Sequence, residues 1–69
     1  MRKNPTQAHL DQAVALVAGE DLTGYELAKR AGTRPQHVYN VFPKARRQAD
    51  GTIKAEAATK WLAGFLANR

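Results

Sequence analysis

The chain has no cysteine, which excludes a disulfide framework and removes the thiolates that usually hold structural zinc. Its fold must come from packing alone. A membrane span needs roughly 20 apolar residues, and uncharged runs such as 12–19 fall far short of that. The N-terminus lacks the layout of a signal peptide, so the expected location is the cytoplasm, with no membrane partner. Acids are missing from the whole interval between Glu26 and Asp50, whereas Lys29, Arg30, Arg34, Lys44, Arg46 and Arg47 all fall inside it. There is no Ser/His/Asp, Cys/His or paired-carboxylate set and no phosphate-cradling glycine loop. His9 and His37 have no spacing partner for a metal, and His9 is expected to play a plain surface role. Catalysis, cofactors and metal ions are therefore not expected.

What is present is compact and basic. With 69 residues the chain makes at most one domain, burying only about 60% of the surface its unfolded form exposes. Such a domain is marginal, and a partner or a second copy would help it. The net charge of +5 suits a polyanionic partner.

Helix signals are strong and local. Asn4-Pro5-Thr6-Gln7 reads as a helix start with Asn4 as N-cap and Pro5 at the first position. Leu10, Ala13, Val14 and Val17 then recur at helical spacing until Gly19, predicting a helix over 5–18. Thr23-Gly24-Tyr25-Glu26 has the form of a capping box, with Leu22 and Leu27 placed as a hydrophobic staple. Gly32 fits the left-handed residue after that helix, giving 24–31. Thr33-Arg34-Pro35-Gln36 repeats the capping pattern and opens a third helix, 34–42, which Pro43 ends. A last helix is expected over about 54–67, where Ile53, at its edge, makes one apolar stripe with Ala57, Trp61, Leu62, Phe65 and Leu66. Between the last two, Asp50-Gly51 is a two-residue hairpin signal. Residues 45–54 are thus either a small β-hairpin wing or an irregular loop. The fold class expected is mainly all-α: a four-helix domain, with or without that wing.

Two helices joined by a short glycine turn form a helix-turn-helix, whose second helix enters the major groove of DNA. With Val38, Val41 and Phe42 inward, Gln36 and Asn40 point outward and His37 and Tyr39 lie on the flanks. Gln and Asn can each bond bidentately to adenine. Arg34, Gln36, His37, Tyr39 and Asn40 are therefore the candidate base-reading residues, although Arg34 could equally grip a phosphate. Thr33, Lys29, Arg30, Lys44, Arg46 and Arg47 are the candidates for phosphate contact. Trp61, Phe65 and Leu66 belong either to the core or to a homodimer interface, and a two-fold dimer would set two reading helices one DNA turn apart on a palindrome.

The stretch ELAKRAGTRPQHVYNVFPK, residues 26–44, resembles the helix-turn-helix of tetracycline-repressor-type (TetR) regulators, with LDQAVALV upstream as a looser extension. Those regulators commonly place a Tyr and then Phe-Pro as Tyr39 and Phe42-Pro43 stand here, and the resemblance implies that Tyr39 touches DNA backbone or a thymine methyl. Their long ligand-binding helical region has no counterpart in this sequence, so no small-molecule effector is expected. Residues 42–66, FPKARRQADGTIKAEAATKWLAGFL, resemble the wing and following helix of excisionase, AlpA-type and phage terminase small-subunit DNA-binding domains. These often run Pro, basic residues, Asp-Gly and then a helix bearing Trp-Leu, as Trp61-Leu62 stands here.

Three functions follow as expectations. The first is a small transcriptional repressor of a plasmid, phage or other mobile element, bound to double-stranded DNA at the nucleoid. The second is an excisionase- or terminase-like factor that bends or packages DNA. The third is a module whose basic face binds an acidic protein.

Overall fold

A computed structural model describes residues 3–69 of the chain. Four helices, α1 (Gln7–Val17), α2 (Gly24–Ala31), α3 (Pro35–Val41) and α4 (Ala55–Ala67), are joined by a two-stranded antiparallel ladder of β1 (Leu22–Thr23) and β2 (Thr52–Ile53). The architecture is the mainly helical four-helix domain that the periodicity implies. Among the described residues no helix is long and apolar enough to cross a membrane.

Helix α1 starts two residues later than expected. Thr6, not Asn4, is the N-cap: its hydroxyl accepts from the His9 N–H at 3.4 Å, while His9 Nδ1 accepts from the Thr6 N–H at 3.0 Å. His9 thus closes a capping box instead of idling on the surface. Gln7 turns away and bonds Asp11 one turn on, at 2.9 Å. At its far end α1 closes on Ala18 in the left-handed region, φ 56°, the only non-glycine residue described with positive φ. The last carbonyls of α1, Leu16 and Val17, accept from Arg30 Nη1 at 3.1 and 3.4 Å.

Helix α2 begins as its sequence implies in one half only. The Thr23 hydroxyl accepts from the Glu26 N–H at 3.1 Å, but the Glu26 carboxylate does not reach back. It pairs with Arg30 Nε at 3.2 Å instead, because Arg30 lies one helical turn ahead. Leu22 and Leu27, the staple residues, are both buried. The helix ends on Gly32 at φ 75°, with the Thr33 N–H donating to the Ala28 carbonyl at 2.9 Å. That bond is the long closure of a Schellman motif. It takes Thr33 out of the capping position expected for it: Arg34 is the N-cap of α3 and makes no side-chain cap bond.

The strand after α3 finds a distant partner. Gly51 adopts φ 87° and makes the turn expected at Asp50-Gly51, but the ladder does not close within residues 45–54. Leu22 pairs with Ile53 and Thr23 with Thr52. A single 3-10 turn at Lys44–Arg46 fills the segment where a first hairpin strand would have run. The reason is hydrophobic. Pairing with β1 buries Ile53 beside Leu22 in the core, whereas the segment 44–46 offers no buried residue to pair with.

Asp21 fixes this arrangement from outside the loop. Its carboxylate accepts from the Gln48 side chain at 2.9 Å and from the Ala55 N–H at 2.9 Å. The second bond caps α4, whose own N-cap, Lys54, supplies no side-chain bond. Helix α4 packs along α1 and α2 packs on α3; Val17, Leu27, Val38, Ile53 and Leu62 are the largest fully buried side chains at the centre.

Candidate nucleic-acid interface

Helix α3 is held by its inner side. Val38 and Phe42 are buried, Val41 is half-buried, and Gln36 and Asn40 stand exposed on the opposite face. Those two side chains are bonded to each other, Gln36 Nε2 donating to Asn40 Oδ1 at 3.0 Å. Gln36 Oε1 is left as an acceptor and Asn40 Nδ2 as a donor. This is the complement of the N6 donor and N7 acceptor that adenine shows in the major groove. Gly32, Thr33, Arg34 and His37 complete an open depression around the pair.

The flanks of α3 are shaped differently from its crest. Tyr39 is half-buried: a β-carbon at Gly24 would lie 2.5 Å from its Cε1, and the Arg47 guanidinium covers its ring at 4.8 Å. Only a glycine at position 24 lets the ring settle there. Tyr39 thereby braces α3 against the start of α2, with part of its ring at the surface. On the other flank the exposed His37 has its ring 6.0 Å from Trp61 and 5.9 Å from Phe65, centroid to centroid. Trp61 and Phe65 stack on each other at 5.2 Å, and Trp61 meets Phe42 edge-on at 6.0 Å. Of the three candidates for a dimer interface, Trp61 and Phe65 are thus packed against α3. Leu66 is half-buried against the core.

The basic residues divide into free and engaged. Arg34, Lys29 and Lys44 are exposed. Arg46 donates to the Val41 carbonyl at 3.0 Å and lies over Phe42 at 5.3 Å, so it closes the end of α3. Its remaining N–H groups stay available. Arg47 Nε has no hydrogen-bond partner within the protein. Arg30 differs from the expectation for it. Its guanidinium bonds the end of α1 and forms ion pairs with Glu26 at 3.2 Å and Glu20 at 3.5 Å. A cation at a helix C-terminus is well placed there, and those bonds remove Arg30 from the set facing outward. Thr33 keeps only its hydroxyl for a phosphate, because its N–H closes α2.

Two carboxylates outside the candidate set also matter here, and only Asp50, in the Asp50-Gly51 turn, carries a local sequence signal. Asp21 is held below the ordinary carboxylate range by the Gln48 amide first and then by the Ala55 N–H. The Thr52 hydroxyl and N–H do the same for Asp50. Both carboxylates secure the loop that carries Lys44, Arg46 and Arg47. Among the described residues no group of three His, Cys, Asp or Glu side chains is placed to hold a metal ion.

The site as a whole is an uncharged hydrogen-bonding crest with Arg34 at its start and Lys44, Arg46 and Arg47 after its end, on a domain measuring 31 × 25 × 18 Å. No protein-family model, curated protein or solved structure matches the chain.

Proposed function

We propose that the protein is a sequence-specific double-stranded DNA-binding protein in which α3 lies in the major groove. The observation that carries this reading is the Gln36–Asn40 pair, bonded at 3.0 Å on the exposed face of a short helix whose opposite face is buried. Arg34 stands at the first turn of that helix, and Lys44, Arg46 and Arg47 follow its end. Base contacts give specificity and phosphate contacts give position. A good bidentate pair is worth about 1–3 kcal/mol of discrimination.

The reading extends to a small transcriptional repressor of a plasmid, phage or other mobile element. A domain whose longest dimension is 31 Å covers about one turn of duplex, roughly 34 Å, and two copies on a palindrome would occlude a promoter by their bulk. No catalysis, cofactor or small-molecule effector is part of the proposal. The excisionase- or terminase-like alternative draws on one observation: α4, with Trp61 facing α3, follows the Asp50-Gly51 turn after the short strand β2. Binding at direct repeats with bending would favour it over the palindromic repressor.

The test is selection of binding sites from random duplexes, followed by footprinting. Gln36→Ala or Asn40→Ala is expected to lower affinity for the selected site by about 1–3 kcal/mol and to leave affinity for random duplex nearly unchanged. An equal loss on both would sink the assignment of the reading face. No affinity for duplex of any sequence, beside salt-dependent binding to an acidic protein, would point instead to the third function.

A further inference from the structure

Helix α3 lies between two margins, and the central basic window of the sequence supplies cations to only part of them. Along the Tyr39 margin stands Arg47. Along the His37 margin runs α4. Near the C-terminal end of α3, Lys60 shares a surface groove with Val41, Phe42, Arg46 and Trp61. Near its N-terminal end, Asn68 shares a second groove with His37, Trp61 and Phe65. Arg69 reaches farther, its Nη2 lying 3.5 Å from where a β-carbon on Gly32 would stand. Lys3 is fastened beside it, because Asn68 Oδ1 accepts from the Lys3 N–H at 2.7 Å and Asn68 Nδ2 donates to the Lys3 carbonyl at 3.0 Å. Neither groove has an acid in its lining.

We propose that this α4 margin, through Lys60 and Arg69 with Lys3 beside them, is a second phosphate-binding surface that grips the DNA strand opposite the one held by Arg47. The proposal rests on the reading that α3 enters the major groove. That groove is about 12 Å wide and a helix with its side chains is about 10–12 Å across, so a helix seated in it has a sugar-phosphate backbone along each side. Cations on one margin would hold one strand. Cations on both margins hold the helix in register, as the two halves of a clamp hold a rod. Lys60, Arg69 and Lys3 lie far from the central window in sequence, and only the packing of α4 and the Asn68 bonds bring them to α3.

A second copy of the chain fits this margin less well. A two-fold contact through Trp61 and Phe65 would press Lys60 and Arg69 toward their own symmetry mates with no acid in either groove to offset them.

The experiment compares the wild-type chain with Lys60→Gln, Arg69→Gln, the double variant and Arg47→Gln. Affinity for a random-sequence duplex is measured across salt concentrations, and ethylation interference is mapped on the site recovered by selection. Each phosphate that a variant no longer neutralises makes the slope of log K against log [salt] shallower by about 0.9, so the double variant is expected to lose about twice that. Within each half-site, interference should disappear on one strand in the double variant and on the other strand in Arg47→Gln. Lys60 and Arg69 are exposed, so a thermal melt should stay at the wild-type value and exclude misfolding as the cause. Unchanged slopes in the double variant, beside a shallower one in Arg47→Gln, would overturn the second margin and leave the α3 reading intact. Stronger self-association of the double variant in sedimentation would assign the margin to a second copy and overturn the proposal as well. If the wild-type chain itself shows no salt-dependent affinity for duplex, the α3 reading falls and takes this proposal with it.

Discussion

Before α3 the chain turns within Gly32–Arg34; after it, the chain runs from Phe42 to Lys54 before α4 begins. The short connection is closed by its own backbone, with Gly32 at φ 75° and the Thr33 N–H on the Ala28 carbonyl. The long one has local bonds of its own, from the Gln48 N–H to the Thr52 carbonyl and from the Thr52 N–H to the Asp50 carboxylate, but its place in the fold is set from elsewhere. Asp21 holds Gln48 and the start of α4, and β1 holds β2. The aim of α3 relative to α2 is therefore a local property. The position of the basic loop relative to α3 is a property of the assembled domain. Stiffness before α3 and conditional placement after it give the two connections different sensitivities.

The largest effect should come from breaking the short turn. Gly32→Ala forces a β-carbon into the left-handed region, which costs about 1–2 kcal/mol. For a domain of this size that lowers the midpoint of thermal unfolding by roughly 4–8 °C per kcal/mol. A melt within a degree of wild type would mean that the turn is not closed in this way.

A smaller global loss, with a distinct local signature, is expected from Asp21→Ala. Hydrogen exchange should accelerate at the Ala55 and Thr52 amides and stay unchanged at Thr33. Acid provides an independent version of the same break. Asp21 and Asp50 both have folded-state values held below the ordinary range, so the unfolded chain binds protons at higher pH than the folded one. Their contribution is complete above the ordinary carboxylate value, about 4, and is lost as pH falls through the depressed folded values. Urea midpoints should decline below about pH 4, less steeply in Asp21→Ala than in wild type. Parallel declines would remove Asp21 from the tie.

The smallest effect is a gain. Ala18→Gly relieves the left-handed strain at φ 56° and raises the entropy of the unfolded chain, and these oppose each other to leave about 0.5 kcal/mol of added stability. Its exchange rates at α3 should match wild type, since the change lies at the end of α1.

The same contrast explains which parts of the structure are legible in the sequence. Thr23, Gly32 and Pro35 act on their immediate neighbours, so the boundaries of α2, and those of α3 to within one residue, follow from residue type and spacing. The outward face of α3 follows for the same reason, since Gln36, Val38 and Asn40 sit at fixed angles on one helix. Thr6 and Asn4 are both competent caps, and only the His9 ring, closing the box with Thr6, decides between them. By residue type alone, Arg30 is one more cation in an acid-free window. Its role depends on the end of α1 and on Glu20, a placement that exists only once α1 has folded onto α2. The pairing of Thr52–Ile53 with Leu22–Thr23 is equally non-local, because the hairpin signal at Asp50-Gly51 specifies a turn and says nothing of the partner.

The two bonds from the Asn68 side chain to the Lys3 backbone draw the first described residue and the end of α4 to one spot. Two residues so distant in sequence and fastened side by side are a natural place to splice a chain. A short linker joining them, with a new opening cut at the exposed Ala49-Asp50 turn, would give a circular permutant with its helices in a new order. The splice would lie beside Arg69, whose guanidinium reaches Gly32, so a linker bulky enough to displace Arg69 would be felt at the turn before α3.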